Sequence, residues 1–243
     1  MNPELQQIAT RLSKEAYESS GTIYHPLPFP EFEHLDTSTK PGSSIRKWNL
    51  IKDALPASFA FQSGRVLDIG ANAGFYTFNF AQKGAEVDAF EPHEHYASIG
   101  QEIAAAAKLP VTWYNKPLEK SDLDDKEYNV ALMLSVFQWM SEGNTFLNEA
   151  TALLRQMAKC SDILFFELGC NHGKSAIQTD QRAIGWIWRL LQDNTAPKSV
   201  YYLGSVSAWH RSRRYLFACS KEPLQLTLWQ RLVTHALQNG WIG

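Results

Sequence analysis

The sequence predicts an α/β chain with a doubly wound, mainly parallel sheet, a C-terminal antiparallel hairpin and an N-terminal helical arm. Three observations carry this. From residue 65 onward, short and almost wholly apolar runs alternate with amphipathic ones, the pattern of parallel strands covered by helices on both faces. The first run passes at once into two glycines and an asparagine, in VLDIGANAGFYT, Val66 to Thr77, and a strand-to-helix handover is where such sheets take a ligand. Near the C-terminus, SVYYLGSVSA and RRYLFAC flank the polar turn WHRS, which reads as a hairpin.

Each element has its own reason. Residues 1–20 read as a helix because Leu5, Ile8, Leu12 and Tyr17 recur at roughly helical spacing. Three prolines in YHPLPFPEFEHLD prevent regular structure, so residues 22–44 read as a lid or arm. SIRKWNLIKDAL places Ile45, Trp48, Ile51 and Leu55 on one helical face, with Arg46 and Lys47 beside it, and Pro56 ends it. Strands are expected at 65–69, 86–90, 111–114, 129–134 and 163–168, and helices at 75–83, 94–107, 145–157 and near 175–192. LTLWQRLVTHALQNGW reads as a terminal amphipathic helix with Leu228, Leu232, His235 and Ala236 on one side. The expected division is an arm and lid over 1–60, a main domain over 61–222 and a terminal helix over 223–243.

Composition narrows the partners. The 243 residues suffice for one large domain with a substantial core. With 23 basic against 25 acidic residues and a net charge of −2, no global field attracts nucleic acid or an anionic membrane. Cys160, Cys170 and Cys219 share no metal-like spacing, so buried thiols in a reducing compartment are expected, without disulfides, zinc or another metal. The N-terminus is polar where a signal peptide would be apolar, and no run reaches membrane-spanning length. A cytoplasmic protein is the expectation.

Gly70 permits a tight turn and Gly74 lets the following helix approach a ligand closely. Alone, this pattern admits a nicotinamide dinucleotide, a flavin or S-adenosylmethionine. A G-x-G-x-x-G fingerprint would need glycine where Asn72 stands. Glu91 ends the second apolar run in EVDAFEP, where an acid can accept both ribose hydroxyls, a feature dinucleotide enzymes share. Asp68 precedes the glycines, and Glu119, in KPLEKSD, follows the third strand, placed to meet an adenine amino group. The series Asp68, Gly70, Gly74, Glu91, Glu119 resembles the class I S-adenosylmethionine-dependent methyltransferases over roughly Val66 to Leu168. That resemblance implies a Rossmann-like methyltransferase domain and S-adenosylmethionine as cofactor, with Asn72 and Ser135 also in its site.

DIGANAGFYT with AFEP is similar to sugar and natural-product O-methyltransferases of the FkbM type, but the later acidic motif of that group is not evident. LSVFQWM at Leu134–Met140, FFEL at Phe165–Leu168 and RSRRYLF at Arg211–Phe217 resemble the methyltransferase half of bacterial O-antigen chain terminators, which pair methyl transfer with a kinase and cap a glycan through its terminal phosphate. LSVFQWM and FFEL also resemble the methylphosphate capping enzymes of RNA. The chain ends where the terminators' kinase would begin, so a separate kinase partner is expected. In those families an N-terminal tyrosine and an arginine on the first helix reach the methionine end of the cofactor; Tyr24, with Tyr17 as its alternative, and Arg46 match, and a guanidinium suits a carboxylate because it pairs bidentately.

Acceptor residues are read from the later strand ends. Phe137 and Trp139 read first as core and second as site aromatics after the fourth strand. Glu167 and His172 are acid–base candidates, because an alcohol acceptor loses a proton on transfer while a phosphate needs no base. His210, Arg211 and Arg213, in WHRSRRY, are expected to hold an anionic acceptor; Arg211 and Arg213 share one face and Arg214 takes the other. A solvated hairpin tip is the alternative. The expected activity is O-methyl transfer to a sugar, glycan-terminal or phosphate oxygen of a small-molecule or glycan acceptor. Two readings compete: an RNA methyltransferase, disfavoured because no wide basic stripe extends beyond WHRSRRY, and a noncatalytic cofactor-binding subunit docked through the terminal helix.

Overall fold

The computed structural model describes residues 2–19, 23–40, 42–173, 176–207 and 213–243. Among them β1 (Arg65–Ile69), β2 (Glu86–Phe90), β3 (Val111–Tyr114), β4 (Tyr128–Leu134), β5 (Ser161–Leu168), β6 (Ser199–Ser207) and β7 (Arg213–Ser220) form one sheet, ordered β3-β2-β1-β4-β5-β7-β6. β2 is parallel to β1 and β3, and β4 to β5, whereas β7 runs antiparallel to β5 and β6. The expected mixed sheet with its closing hairpin is thus present. Two compact units divide the chain, residues 1–48 with 60–118, and 49–59 with 119–243.

In the first unit, α1 (Pro3–Ser19) buries Leu5, Ala9 and Leu12 along one stripe. They share a core with Ile23, Leu27, Phe29 and Phe32 of the arm, Phe78 of α3 (Phe75–Ala81), and Ile99 and Ile103 of α4 (Glu94–Ala106). The prolines confine regular structure in the arm to one turn at Pro30–Phe32, with proline at its first position. The arm is nonetheless pinned: Asn2 donates its backbone N–H to Glu31 Oε1 at 2.7 Å and its side-chain amide to Ala106 O at 2.7 Å. Along α2 (Ser43–Ala54) Trp48, Ile51 and, just past its end, Leu55 are buried as expected, and the departure is at the start of the helix. Ile45 is exposed there, while Ser44 and Lys47 are buried.

The second unit packs α5 (Phe137–Met140), α6 (Leu147–Cys160), α7 (Ala183–Thr195) and α8 (Leu228–Gln238) with β4 to β7. Phe137 is fully buried against Phe166, ring centroids 5.5 Å apart, but Trp139 is 64% exposed and leaves the core assigned to it. α7 begins eight residues later than expected. On α8 the docked side is Gln230, Val233, Thr234 and Leu237, whereas Leu228 and Leu232 of the expected apolar face are exposed. Two polar contacts set that choice: Gln230 Nε2 donates to Leu203 O at 2.8 Å, and Tyr202 N–H donates to Thr234 Oγ1 at 3.0 Å, beside a bulge in β6 between Tyr202 and Gly204. No described helix is long and apolar enough to cross a membrane.

Candidate active site

β1 ends in a loop whose backbone turns left-handed three times, at Gly70 (φ 63°), Asn72 (φ 53°) and Gly74 (φ 100°). Gly74 is obligatory on two counts, because a Cβ there would lie 2.6 Å from Phe78 Cε2 and φ 100° strains any L side chain. The loop is tied to the end of β2: the N–H groups of Gly70 and Ala71 donate to Phe90 O at 2.8 and 3.1 Å. Glu91 completes the tie. Its Oε2 accepts the Asn72 N–H and its Oε1 accepts the His93 N–H, both at 2.8 Å, and the residue is buried.

Asp68 lies beneath this loop. Its Oδ2 accepts the Thr77 hydroxyl at 2.7 Å, anchoring α3 to β1. Burial pushes its carboxyl up to about 7, the Thr77 hydrogen bonds act against that, and the Glu91 charge adds to it. Asp68 therefore braces the loop from below. Tyr24 is half-buried and meets His25 edge-on at 4.6 Å. His25 bonds Ser44 Oγ through Nδ1 at 2.8 Å and lies 6.1 and 5.8 Å from the rings of Phe75 and Tyr76, the first residues of α3. Arg46 is exposed; the neighbouring Lys47 is the buried cation of α2, its Nζ 5.6 Å from the Tyr76 ring centroid. His25 and Lys47 escaped the sequence reading, although both lie within stretches it singled out, one beside Tyr24 and the other one step along the helical stripe.

Glu119 belongs to the second unit, exposed at the start of the turn Lys120–Leu123, where its N–H donates to Asp122 Oδ2 at 2.9 Å in a capping box. Capping is the role this geometry gives it.

In the second unit, Ser135 follows β4 with a left-handed backbone (φ 61°), and its N–H donates to Glu167 O at 2.9 Å. The Ser135 hydroxyl donates to Glu167 Oε2 and receives Nη1 of Arg214 at 3.0 Å. Glu167 is wholly buried, so its carboxylate orients Ser135 instead of meeting solvent. His172 is half-buried, with Nδ1 3.3 Å from Cys170 O. In a neutral ring that nitrogen carries the proton and Nε2 presents its lone pair. Burial above all, and the Arg214 charge with it, hold the imidazole below its ordinary value against the pull of the Cys170 carbonyl. Arg213 is exposed. His210 and Arg211 lie outside the described residues. Of the thiols, Cys219 is buried and Cys160 and Cys170 are partly so; burial pushes Cys170 and Cys219 up to about 12, which leaves them inert. Among the described residues no group of three or more His, Cys, Asp or Glu could hold a metal ion.

Residues 66–157, spanning the glycine loop, Glu91 and Ser135, match the family model of a methyltransferase domain. This is a class I methyltransferase fold. The same fold occurs in the bifunctional kinase-methyltransferase WbdD, with a TM-score of 0.66 at 16% identity over 86% of this chain and 46% of that one. It also occurs in the magnesium protoporphyrin IX methyltransferase ChlM from Synechocystis PCC 6803 with bound SAM, with a TM-score of 0.53 at 18% identity over 91% of this chain and 99% of that one. The alignment thus spans a little under half the length of WbdD. No curated protein matches the chain in sequence. Family match and methyltransferase fold together support an S-adenosylmethionine-dependent methyltransferase.

The residues present fit that cofactor. Asn72 Oδ1 is buried with no hydrogen-bond partner among the described residues, and each Glu91 oxygen, already holding one amide, keeps a further lone pair. Acceptors in this number suit the neighbouring hydroxyls of a ribose.

Proposed function

We propose that this chain transfers a methyl group from S-adenosylmethionine to an oxygen of a sugar, glycan-terminal or phosphate acceptor. The observation that carries the reading is the Glu91 carboxylate, fixed before any ligand arrives by the Asn72 and His93 amides. A pre-oriented acid loses little freedom when it receives a ribose diol. Glu91 and Asn72 would hold the ribose end, and Tyr24, with Arg46 or Lys47, the methionine end.

Bound S-adenosylmethionine supplies an electrophilic methyl on a good leaving group. The chain's own residues are left to align the acceptor oxygen, exclude water and receive a proton. His172 suits the last task for a hydroxyl acceptor: held below its ordinary value by burial, and less by the Arg214 charge, it would present the Nε2 lone pair to the hydroxyl proton. A phosphate acceptor is anionic already and needs no such step. The similarity to the bifunctional kinase-methyltransferase WbdD favours an acceptor that a kinase phosphorylates, and the near-zero net charge favours a metabolite or glycan over nucleic acid.

Calorimetry with S-adenosylhomocysteine, followed by a labelled-methyl screen over sugars, phosphorylated glycans, RNA and protein, tests this. The expected result is cofactor binding and incorporation at oxygen of a sugar or phosphate. A chain that binds no S-adenosylhomocysteine, or that methylates only nitrogen or carbon, refutes it.

A further inference from the structure

We propose that Arg214 is an acceptor-binding residue that takes an oxyanion, phosphate or carboxylate, on the Nε edge of its guanidinium. The inference rests on the methyl-transfer reading above and assigns its acceptor a charged handle. Arg214 stands on β7, two residues from Leu216, the partner of Glu167 across the ladder. Alternation along the strand therefore sends its side chain to the face of Glu167 and sends that of the exposed Arg213 to the other.

What Arg214 does on that face is half determined. Nη1 is committed to Ser135 Oγ at 3.0 Å, and Ser135 cannot turn away, because its hydroxyl and its backbone N–H are both given to Glu167. This ties one edge of the guanidinium to Ser135. Nε, on the opposite edge, is buried and has no hydrogen-bond partner among the described residues. A buried, charged N–H without an acceptor is costly, and the Nε edge of a guanidinium can match two oxygens of a phosphate or carboxylate.

Placement adds a second line. A Cβ at Gly169 would stand 3.2 Å from Arg214 Cγ and 3.1 Å from His172 Cε1. Glycine leaves room for the arginine stem and the imidazole to close over the end of β5, where a Cβ would crowd both, so cation and base lie side by side. An acceptor anchored by an oxyanion on Arg214 would bring a neighbouring oxygen to His172. Burial is what chiefly holds His172 below its ordinary value, and an oxyanion there would offset the smaller share that the Arg214 charge adds.

The test titrates inorganic phosphate and sodium acetate into the full chain, with and without S-adenosylhomocysteine, by calorimetry, while NMR follows the His172 ring. Saturable binding of at least one anion is expected, weakened at least tenfold in Arg214→Gln, severalfold in Arg214→Lys, which keeps the charge and loses the fork, and less than twofold in Arg213→Gln. Saturating anion should raise the His172 titration midpoint in wild type and leave it unmoved in Arg214→Gln. Stronger phosphate than acetate binding assigns a phosphate handle, and the reverse a carboxylate. The absence of saturable binding in wild type, or equal binding in an Arg214→Gln protein that retains its S-adenosylhomocysteine affinity, overturns the proposal. Failure of wild type to bind S-adenosylhomocysteine strikes the methyl-transfer reading instead, and the cofactor-free titration still reads Arg214.

Discussion

The two units build their polar sites by different means. In the first, backbone makes the site: three left-handed residues and two amides on one carboxylate, all between Asp68 and His93. In the second, side chains make it: Ser135, Glu167 and Arg214 come from three places far apart in the chain and meet through a hydroxyl. A backbone-built site binds with little reorganisation, since its donors and turns are fixed by local sequence. A side-chain-built site depends on every member, and removing one takes a hydrogen bond from each of the side chains it joins.

The largest expected effect lies under the glycine loop. Asp68 has its carboxyl raised to about 7 by burial, so the folded state holds a proton that the unfolded chain releases near the ordinary aspartate value. Its contribution to stability is present below about pH 4, falls as pH rises, and is lost above about pH 7, on the order of 4 kcal/mol in total. Asp68→Asn should remove that slope, and denaturant melts of both proteins across pH 4–8 measure it; parallel pH profiles would place the carboxyl in contact with water.

Next in size, Glu91→Ala removes the acid and releases the loop, and S-adenosylhomocysteine binding should weaken by about 2–3 kcal/mol, read by calorimetry. Ser135→Ala sharpens the contrast with the smallest change. It should cost about 1–3 kcal/mol of stability by leaving Glu167 and Arg214 unbridged, yet shift cofactor affinity by less than about threefold. A loss of affinity to match Glu91→Ala would mean that the two sites are not built separately.

The same contrast explains what could be read in the sequence. VLDIGANAG and EVDAFEP announce their geometry because glycine, asparagine and a strand-end acid have local conformational consequences, and β3 lies at Val111–Tyr114 as its apolar run implies. The start of α7 could not be read this way. Residues 176–182 stay non-helical because Asn171 exchanges two hydrogen bonds with Thr179, and Asn144 two with Gln178, and the second pair spans 34 residues. Likewise nothing local distinguishes Arg214 from Arg213; only the pairing of β7 with β5 decides which one reaches Ser135. Lys47 was hidden because it flanks the apolar stripe of Trp48 and Ile51 and a lysine beside such a stripe reads as solvent-facing, although it is buried.

The seating of α8 on the β6 bulge has a consequence for behaviour in solution. β6 is the last strand of the sheet, and an open last strand is a template on which another molecule can add its own. Two of its backbone groups, Tyr202 N–H and Leu203 O, are instead taken by Thr234 and Gln230. The helix thus shields part of that edge within its own chain. A chain cut before Thr227 would keep its glycine loop and Glu91 but bare this margin, and should be lost to fibre-like aggregates before it is lost to unfolding.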